Sequence, residues 1–367
     1  MIIARDPVQR PIDAKLLAID ARGRITHWPR RALPKLLRRG DLVIANDAAT
    51  LPGSLEGTHV ASGRRIEVRL VRRRSLQPDD VQDFAAIVFG EGDYRMPTED
   101  RAAPPQLSRG DVLDLGPLRA KVRSVLGHPR FVAIRFAGTP QTIWRGLATH
   151  GKPIQYAYMR RPLKLWDVWT PIAGAAAAFE PPSAGFALDW ETLADMRRRG
   201  GDFATITHAA GISSTGDEAL DALLPFDEPY AIPVSTAAAI ERARDRGSRI
   251  VAVGTTVVRA LEAAAIGNGK VSAGSGVATQ RIGPYTRLRV IDAVLSGTHE
   301  PGTSHYALLG AFASPATLRE ADRELEAHGY RTHEYGDSVF VERRDASPVN
   351  RSPSAAHTRR SDPIPAA

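Results

Sequence analysis

The chain has 367 residues, enough for two domains of ordinary size, and its 43% hydrophobic and 25% charged composition is that of a folded soluble protein, not of a fibre. The absence of cysteine excludes disulfides, thiolate zinc sites, iron–sulfur clusters and cysteine nucleophiles. A net charge of +8, from 49 basic and 41 acidic residues, permits RNA binding but does not demand it, because the arginines are spread along the whole chain.

The first residues, Met1 to Arg10, lack the apolar core of a secretory leader. No run reaches the roughly 18–20 apolar residues that cross a bilayer. A cytoplasmic protein with no membrane partner is therefore expected. Asp41-Leu-Val-Ile-Ala45 reads as a short buried strand. From Gly63 to about Phe136 the pattern has period two: Ile66, Val68 and Leu70 alternate with Glu67 and Arg69, and Val132, Ile134 and Phe136 with Ala133 and Arg135. Gly-containing turns such as Arg109-Gly110-Asp111 and Gly127-His128-Pro129 separate these antiparallel strands.

The texture then changes. Helices are expected over Trp190–Arg199 and Ser235–Arg246, a strand over Ile250–Val253, a helix from Thr256 and a strand over Ser338–Val341. The expected fold is α/β: a main domain in two pieces, residues 1–60 and 150–344, carrying an inserted antiparallel β-barrel-like domain at 61–149. Residues 345–367, rich in Pro and Ser and without apolar periodicity, should be a disordered tail. Nothing in the sequence fixes the oligomeric state.

Four segments could carry chemistry. In Ile250-Val-Ala-Val-Gly-Thr-Thr-Val-Val-Arg-Ala-Leu-Glu262, a buried strand leads through Gly254 to Thr255 and Thr256 at a helix start, where unpaired N–H groups favour anions. Arg259 and Glu262 are three apart and could pair, leaving the guanidinium fork for a carboxylate or phosphate. The same residues also read as a plain strand–turn–helix with a surface ion pair. Phe203-Ala-Thr-Ile-Thr-His208 ends a strand on a histidine, where α/β proteins place ligands and where imidazole could move a proton. Gly297-Thr-His299-Glu300-Pro-Gly-Thr-Ser-His305 gathers two histidines and a glutamate without a firm metal-ligand spacing, so no metal site is expected. Tyr335-Gly336-Asp337 precedes the last strand and is equally readable as a turn.

In order along the chain, these segments resemble the S-adenosylmethionine:tRNA ribosyltransferase-isomerase family of queuosine synthesis. Gly40-Asp-Leu-Val-Ile-Ala-Asn46 resembles "G-D-L-L-V-x-N", Pro182-Ser-Ala-Gly185 resembles "P-T-A-G", and Ala252-Val-Gly-Thr-Thr-Val-Val-Arg-Ala-Leu-Glu262 is nearly identical to "A-V-G-T-T-S-V-R-x-L-E". Arg24-Ile-Thr-His27 is similar to an early "I-x-H", Thr298-His-Glu-Pro301 to "F-H-L-P", and Glu334-Tyr-Gly-Asp337 to "S-Y-G-D".

The resemblance implies transfer and isomerisation of the ribosyl part of S-adenosylmethionine onto 7-aminomethyl-7-deazaguanine in tRNA, giving epoxyqueuosine. S-adenosylmethionine enters as substrate and no cofactor is implied; the partner is tRNA. The step needs a base beside the sulfonium, stabilisation of departing adenine and a clamp for the methionine carboxylate. His208 or His299 would serve the first two, and Arg259 with the Thr255–Thr256 turn the third. Asn46, Gly254, Glu262, Tyr335 and Asp337 complete the expected substrate site. The chain also departs from the family: Asp47-Ala-Ala-Thr-Leu-Pro-Gly-Ser-Leu55 lacks both arginines of "T-R-V-I-P-A-R-L", and Gly185-Phe-Ala-Leu188 lacks the histidine of "G-L-H-F". Those losses leave open a relative acting on another nucleoside or small substrate, or a non-catalytic binding protein on the same fold.

Overall fold

The computed structural model describes residues 1–267 and 269–344; the expected tail lies outside them. One mixed sheet of nine strands forms the main body. Its order is Gly274–Ala278, Glu228–Ile232, Asp202–His208, Leu42–Asn46, Ile250–Val253, Ala293–Gly297, Ser338–Glu342, Lys15–Ile19 and Ile25–Pro29. The four strands from Asp202–His208 to Ala293–Gly297 run parallel to their neighbours within that group.

Alternation along these strands explains why they read as unbroken apolar runs. Leu42, Ile44, Ile250 and Ala252 join one buried cluster, whereas Val43, Ala45, Val251 and Val253 join another. Side chains with period two reach both faces, so both must be covered. Helices Val234–Asp245, Thr255–Ala264 and Pro315–Ala327 cover the first face through Ile240, Leu261 and Leu318. Leu33–Leu36 and Trp190–Arg198 cover the second through Leu33 and Met196. Local signals set the helix starts: Asp189 accepts from Thr192 N, and Ser314 accepts from Thr317 N ahead of Pro315.

The second body is a closed six-stranded antiparallel barrel. Around it run Leu118–His128, Phe131–Phe136, Asp83–Phe89, Arg65–Arg73, Ser54–His59 and Val112–Leu115. Ser54–His59 brings in a strand that starts before the alternating pattern of the sequence begins, because Gly57 and the polar residues around it mask the period. The interior is apolar, with Val68, Leu70, Ile87, Leu113 and Ile134 buried, and helix Pro140–His150 closes it with Ile143 and Leu147. Within this barrel Glu67 is buried, bonded by Arg69 Nε at 2.7 Å, Arg101 Nη1 at 2.6 Å and Ser54 Oγ at 2.8 Å. No helix among the described residues is long and apolar enough to cross a membrane.

Candidate active site

A cleft of about 330 Å³ opens at the carboxyl ends of the central parallel strands. That is where an α/β sheet leaves strand ends and helix starts facing a common space. Gly254, Thr255 and Thr256 line it from the end of Ile250–Val253, Ala210 and Gly211 from beyond Asp202–His208, and Ser296 and His299 from the end of Ala293–Gly297. Gly254 has φ +97°, a left-handed conformation that side chains disfavour, and it turns the strand directly into helix Thr255–Ala264. No side chain caps this helix, so first-turn N–H groups stay available to an anion.

Asn46 fixes the strand ends. Its Oδ1 accepts from His208 N at 2.9 Å and Ala48 N at 3.1 Å, and its Nδ2 donates to His208 O at 2.9 Å. Nδ2 also reaches Thr256 Oγ1 at 3.4 Å, so this buried amide positions the floor of the cleft. His208 is fully buried and outside the cleft lining. Burial, reinforced by Arg259, pushes its imidazole down to about 3, so it is neutral. Its Nε2 lies 3.4 Å from Glu228 Oε2, but neither ring nitrogen makes a hydrogen bond within the described residues.

The expected Arg259–Glu262 pair does not form. Arg259 lines the cleft, yet its guanidinium is ion-paired with Glu228 and donates to Phe226 O and Ala278 O, each at 3.1 Å. Glu228 Oε1 in turn accepts from Gly211 N at 2.6 Å. Glu262 points the other way and accepts from Arg289 N, Val290 N and Ile291 N at 2.8–3.1 Å. It ties the chain ahead of Ala293–Gly297 to the helix. A spacing of three residues on a helix permits a pair, but buried backbone donors with no other acceptor take precedence.

His299 lies in the cleft, stacked on His305 with ring centroids 4.5 Å apart. Its Nε2 is 3.2 Å from Ser296 Oγ. Burial holds both imidazoles below their ordinary range, His305 at about 4, so the pair is neutral. Tyr335 is buried, donates its hydroxyl to Asp167 O at 3.0 Å and stacks on Phe186. Asp337 accepts from Lys15 N and Arg331 N at 2.8 Å each. Neither lines the cleft; together they brace the turn into Ser338–Glu342.

The residue of that motif that does line the cleft is Glu334, and opposite it stands Glu180. Burial, then the neighbouring Glu334 charge, raises the Glu180 carboxyl to about 8 even though Ser213 N donates to it at 2.9 Å. Burial raises Glu334 as well. Two carboxyls that cannot both ionise cheaply retain a proton at neutral pH. Burial and the same two charges raise Tyr156, whose ring stacks on Tyr158 5.4 Å away. Sequence reading passes over both glutamates. Glu180 precedes a pair of prolines outside any periodic pattern, and Glu334 occupies the place of the serine in the motif it resembles. The one available signal was Pro182-Ser-Ala-Gly185, since Pro182, Ser183 and Ala184 all line the cleft.

Outside the cleft, the only trio able to hold a metal ion among the described residues is His27, Glu324 and His328.

The chain matches the queuosine biosynthesis protein family over residues 1–341. It belongs to that family. The S-adenosylmethionine:tRNA ribosyltransferase-isomerase of Gloeobacter violaceus is 31% identical over 347 residues, covering 92% of each chain. Those of Sorangium cellulosum and Pelobacter propionicus are also 31% identical, each over more than nine-tenths of both chains. The crystal structure of S-adenosylmethionine tRNA ribosyltransferase from Thermotoga maritima aligns over 92% of this chain and 96% of that one, with TM-score 0.49 and 23% identity.

Proposed function

We propose that this member of the queuosine family transfers and isomerises the ribosyl moiety of S-adenosylmethionine onto 7-aminomethyl-7-deazaguanine in tRNA, giving epoxyqueuosine, adenine and methionine. The observation that carries the reading is the convergence, in one cleft, of an uncapped helix start, two neutral imidazoles and a carboxyl pair that keeps a proton near neutrality. The sulfonium supplies its own leaving group, so the reaction needs no metal or other cofactor. In the proposed roles, Glu180 in its ionised form takes the proton from the carbon beside the sulfonium, with Glu334 holding its proton affinity high. Its raised affinity for that proton suits a general base working near neutral pH. The Thr255–Thr256 N–H groups receive the methionine carboxylate, and His299, neutral and backed by His305, donates toward departing adenine. Arg259 acts through Glu228 as a brace of the wall.

One observation favours a second reading, transfer to a different nucleoside: Glu334 replaces the serine of the motif it resembles, changing the charge of the wall. Both readings are separated by incubating the protein with S-adenosylmethionine, with and without a tRNA carrying the aminomethyl-deazaguanine base, and following adenine release and nucleoside mass. Adenine that requires the tRNA, with the epoxyqueuosine mass, is the expected result. Adenine released when a mixture of free nucleosides replaces the tRNA, and not with the tRNA, would establish the second reading, and no adenine with either acceptor would overturn both.

A further inference from the structure

A second concavity, of about 590 Å³, lies on the barrel where it meets the edge of the nine-stranded sheet. Four adjacent barrel strands build it: Arg65–Arg73, Asp83–Phe89, Phe131–Phe136 and Leu118–His128. Its far bank is Asp227, Pro229 and Val277, from the two outermost strands on that side of the sheet or immediately before them. Five arginines line the groove (72, 73, 74, 123 and 135) against two carboxylates, Asp83 and Asp227.

The state of those arginines separates structural from available charge. Arg73 is buried and donates to Ala176 O and Gln77 O. Arg135 contacts Gln82 and Asp83, and Arg72 stands 3.9 Å from Asp227, a loose contact. Arg74 and Arg123 are exposed, and their side chains make no hydrogen bond or ion pair with any described residue. Two unpaired guanidiniums, Arg123 on a barrel strand and Arg74 one residue beyond another, stand beside the loosely paired Arg72 and the hydrogen-bonded Arg135 and form an anion track whose backbone the barrel holds in place.

The groove and the cleft share a wall. Asp221, Ala222, Leu224, Pro225 and Glu228 line the cleft, while Asp227 and Pro229, on either side of Glu228, line the groove. Adjacent residues of an extended segment point to opposite faces, so one short stretch borders both spaces. A polyanion lying in the groove therefore passes beside the cleft.

We infer that this groove holds the phosphodiester backbone of the RNA substrate, with Arg74 and Arg123 as its main phosphate contacts and Arg72 and Arg135 as supports. The inference rests on the proposed tRNA reaction for the occupant; the free charge and its position beside the cleft come from the groove itself. Phosphate contacts fix register without reading sequence, which is the task of a surface remote from the reacting base.

The test uses the full chain, an unmodified tRNA transcript and a KCl series. Arg74→Glu/Arg123→Glu should weaken transcript binding by at least tenfold and flatten the dependence of log K on log[KCl] by roughly 2, about one for each phosphate no longer engaged. S-adenosylmethionine affinity, read by calorimetry on the same samples, should stay unchanged and so report an intact fold. Arg64→Glu/Arg65→Glu, with the same charge change at the other end of the strand Arg65–Arg73, should bind transcript within about twofold of the parent. Parent and groove variant binding transcript equally, with equal salt slopes, would overturn the groove assignment and leave the tRNA reaction standing. A parent that binds no transcript would overturn both. Retention on phosphatidylglycerol vesicles that is lost in the groove variant, with transcript affinity unaltered, would assign the groove to a membrane surface instead.

Discussion

Glu67 in the barrel and Glu180 in the cleft are both buried glutamates, and their surroundings drive them in opposite directions. Burial raises the carboxyl of Glu67, but Arg69 and Arg101 overcome it and bring it down to about 2. Burial raises Glu180 too, and there the charge that acts on it most is a second carboxyl, Glu334, so it rises to about 8. The difference teaches what each region is for. The barrel charge is fully compensated and inert across physiological pH, which suits a rigid platform. The cleft carboxyl holds a proton it can exchange near neutrality, and such uncompensated burial marks sites of chemistry more often than scaffolding.

The largest effect should come from Glu180→Gln, which removes the exchangeable proton while keeping the volume. Single-turnover adenine release should slow about 10²–10⁴-fold, the range for loss of a general base, with S-adenosylmethionine affinity little changed. Glu67→Gln should do the reverse. It leaves Arg69 and Arg101 buried without their anion and should lower stability in urea by about 3–5 kcal/mol, with S-adenosylmethionine affinity unaltered in the folded fraction. Glu262→Gln weakens bonds to three backbone donors, and should lower the urea midpoint by an amount equivalent to about 1–3 kcal/mol.

The remaining effect is on pH-dependent stability, and it separates the two glutamates by sign. Glu180 is raised from an ordinary 4.5 to about 8, so the folded chain holds a proton that the unfolded chain has released. Its contribution is present below about pH 4.5 and is lost as pH rises toward 8. Glu67, lowered to about 2, contributes above pH 4.5 and loses that contribution as pH falls toward 2. Thermal midpoints across pH 5–8.5 should therefore fall less in Glu180→Gln than in the parent, over the window those shifts set.

The scaffold was largely legible in the sequence, because apolar period and glycine position are local properties. Ile250–Val253 stands where the four apolar residues place it, and Gly254 makes the turn its position demands. Trp190–Arg198 and Val234–Asp245 end or begin one residue from their expected bounds. The site was legible only in part. Gly254, Thr255, Thr256, Arg259 and His299 meet in the cleft. His208 is sealed beneath it, and Glu262, Asp337 and Tyr335 serve backbone groups. A sequence cannot separate a carboxylate that binds substrate from one that caps buried N–H groups, since both are polar residues at element ends. Glu180 and Glu334 were missed for a related reason. They are 154 positions apart, and their importance arises from proximity in space.

The central claim is that the Glu180–Glu334 pair is the proton acceptor of the cleft. Its most direct test is the pH dependence of single-turnover adenine release from saturating S-adenosylmethionine and base-bearing tRNA, in the parent and in Glu180→Gln. In the parent the rate should climb with pH through a limb centred near 8, belonging to the coupled pair, and that limb should vanish in the variant. A parent profile with no limb in that range, or the same limb in both proteins, would contradict it.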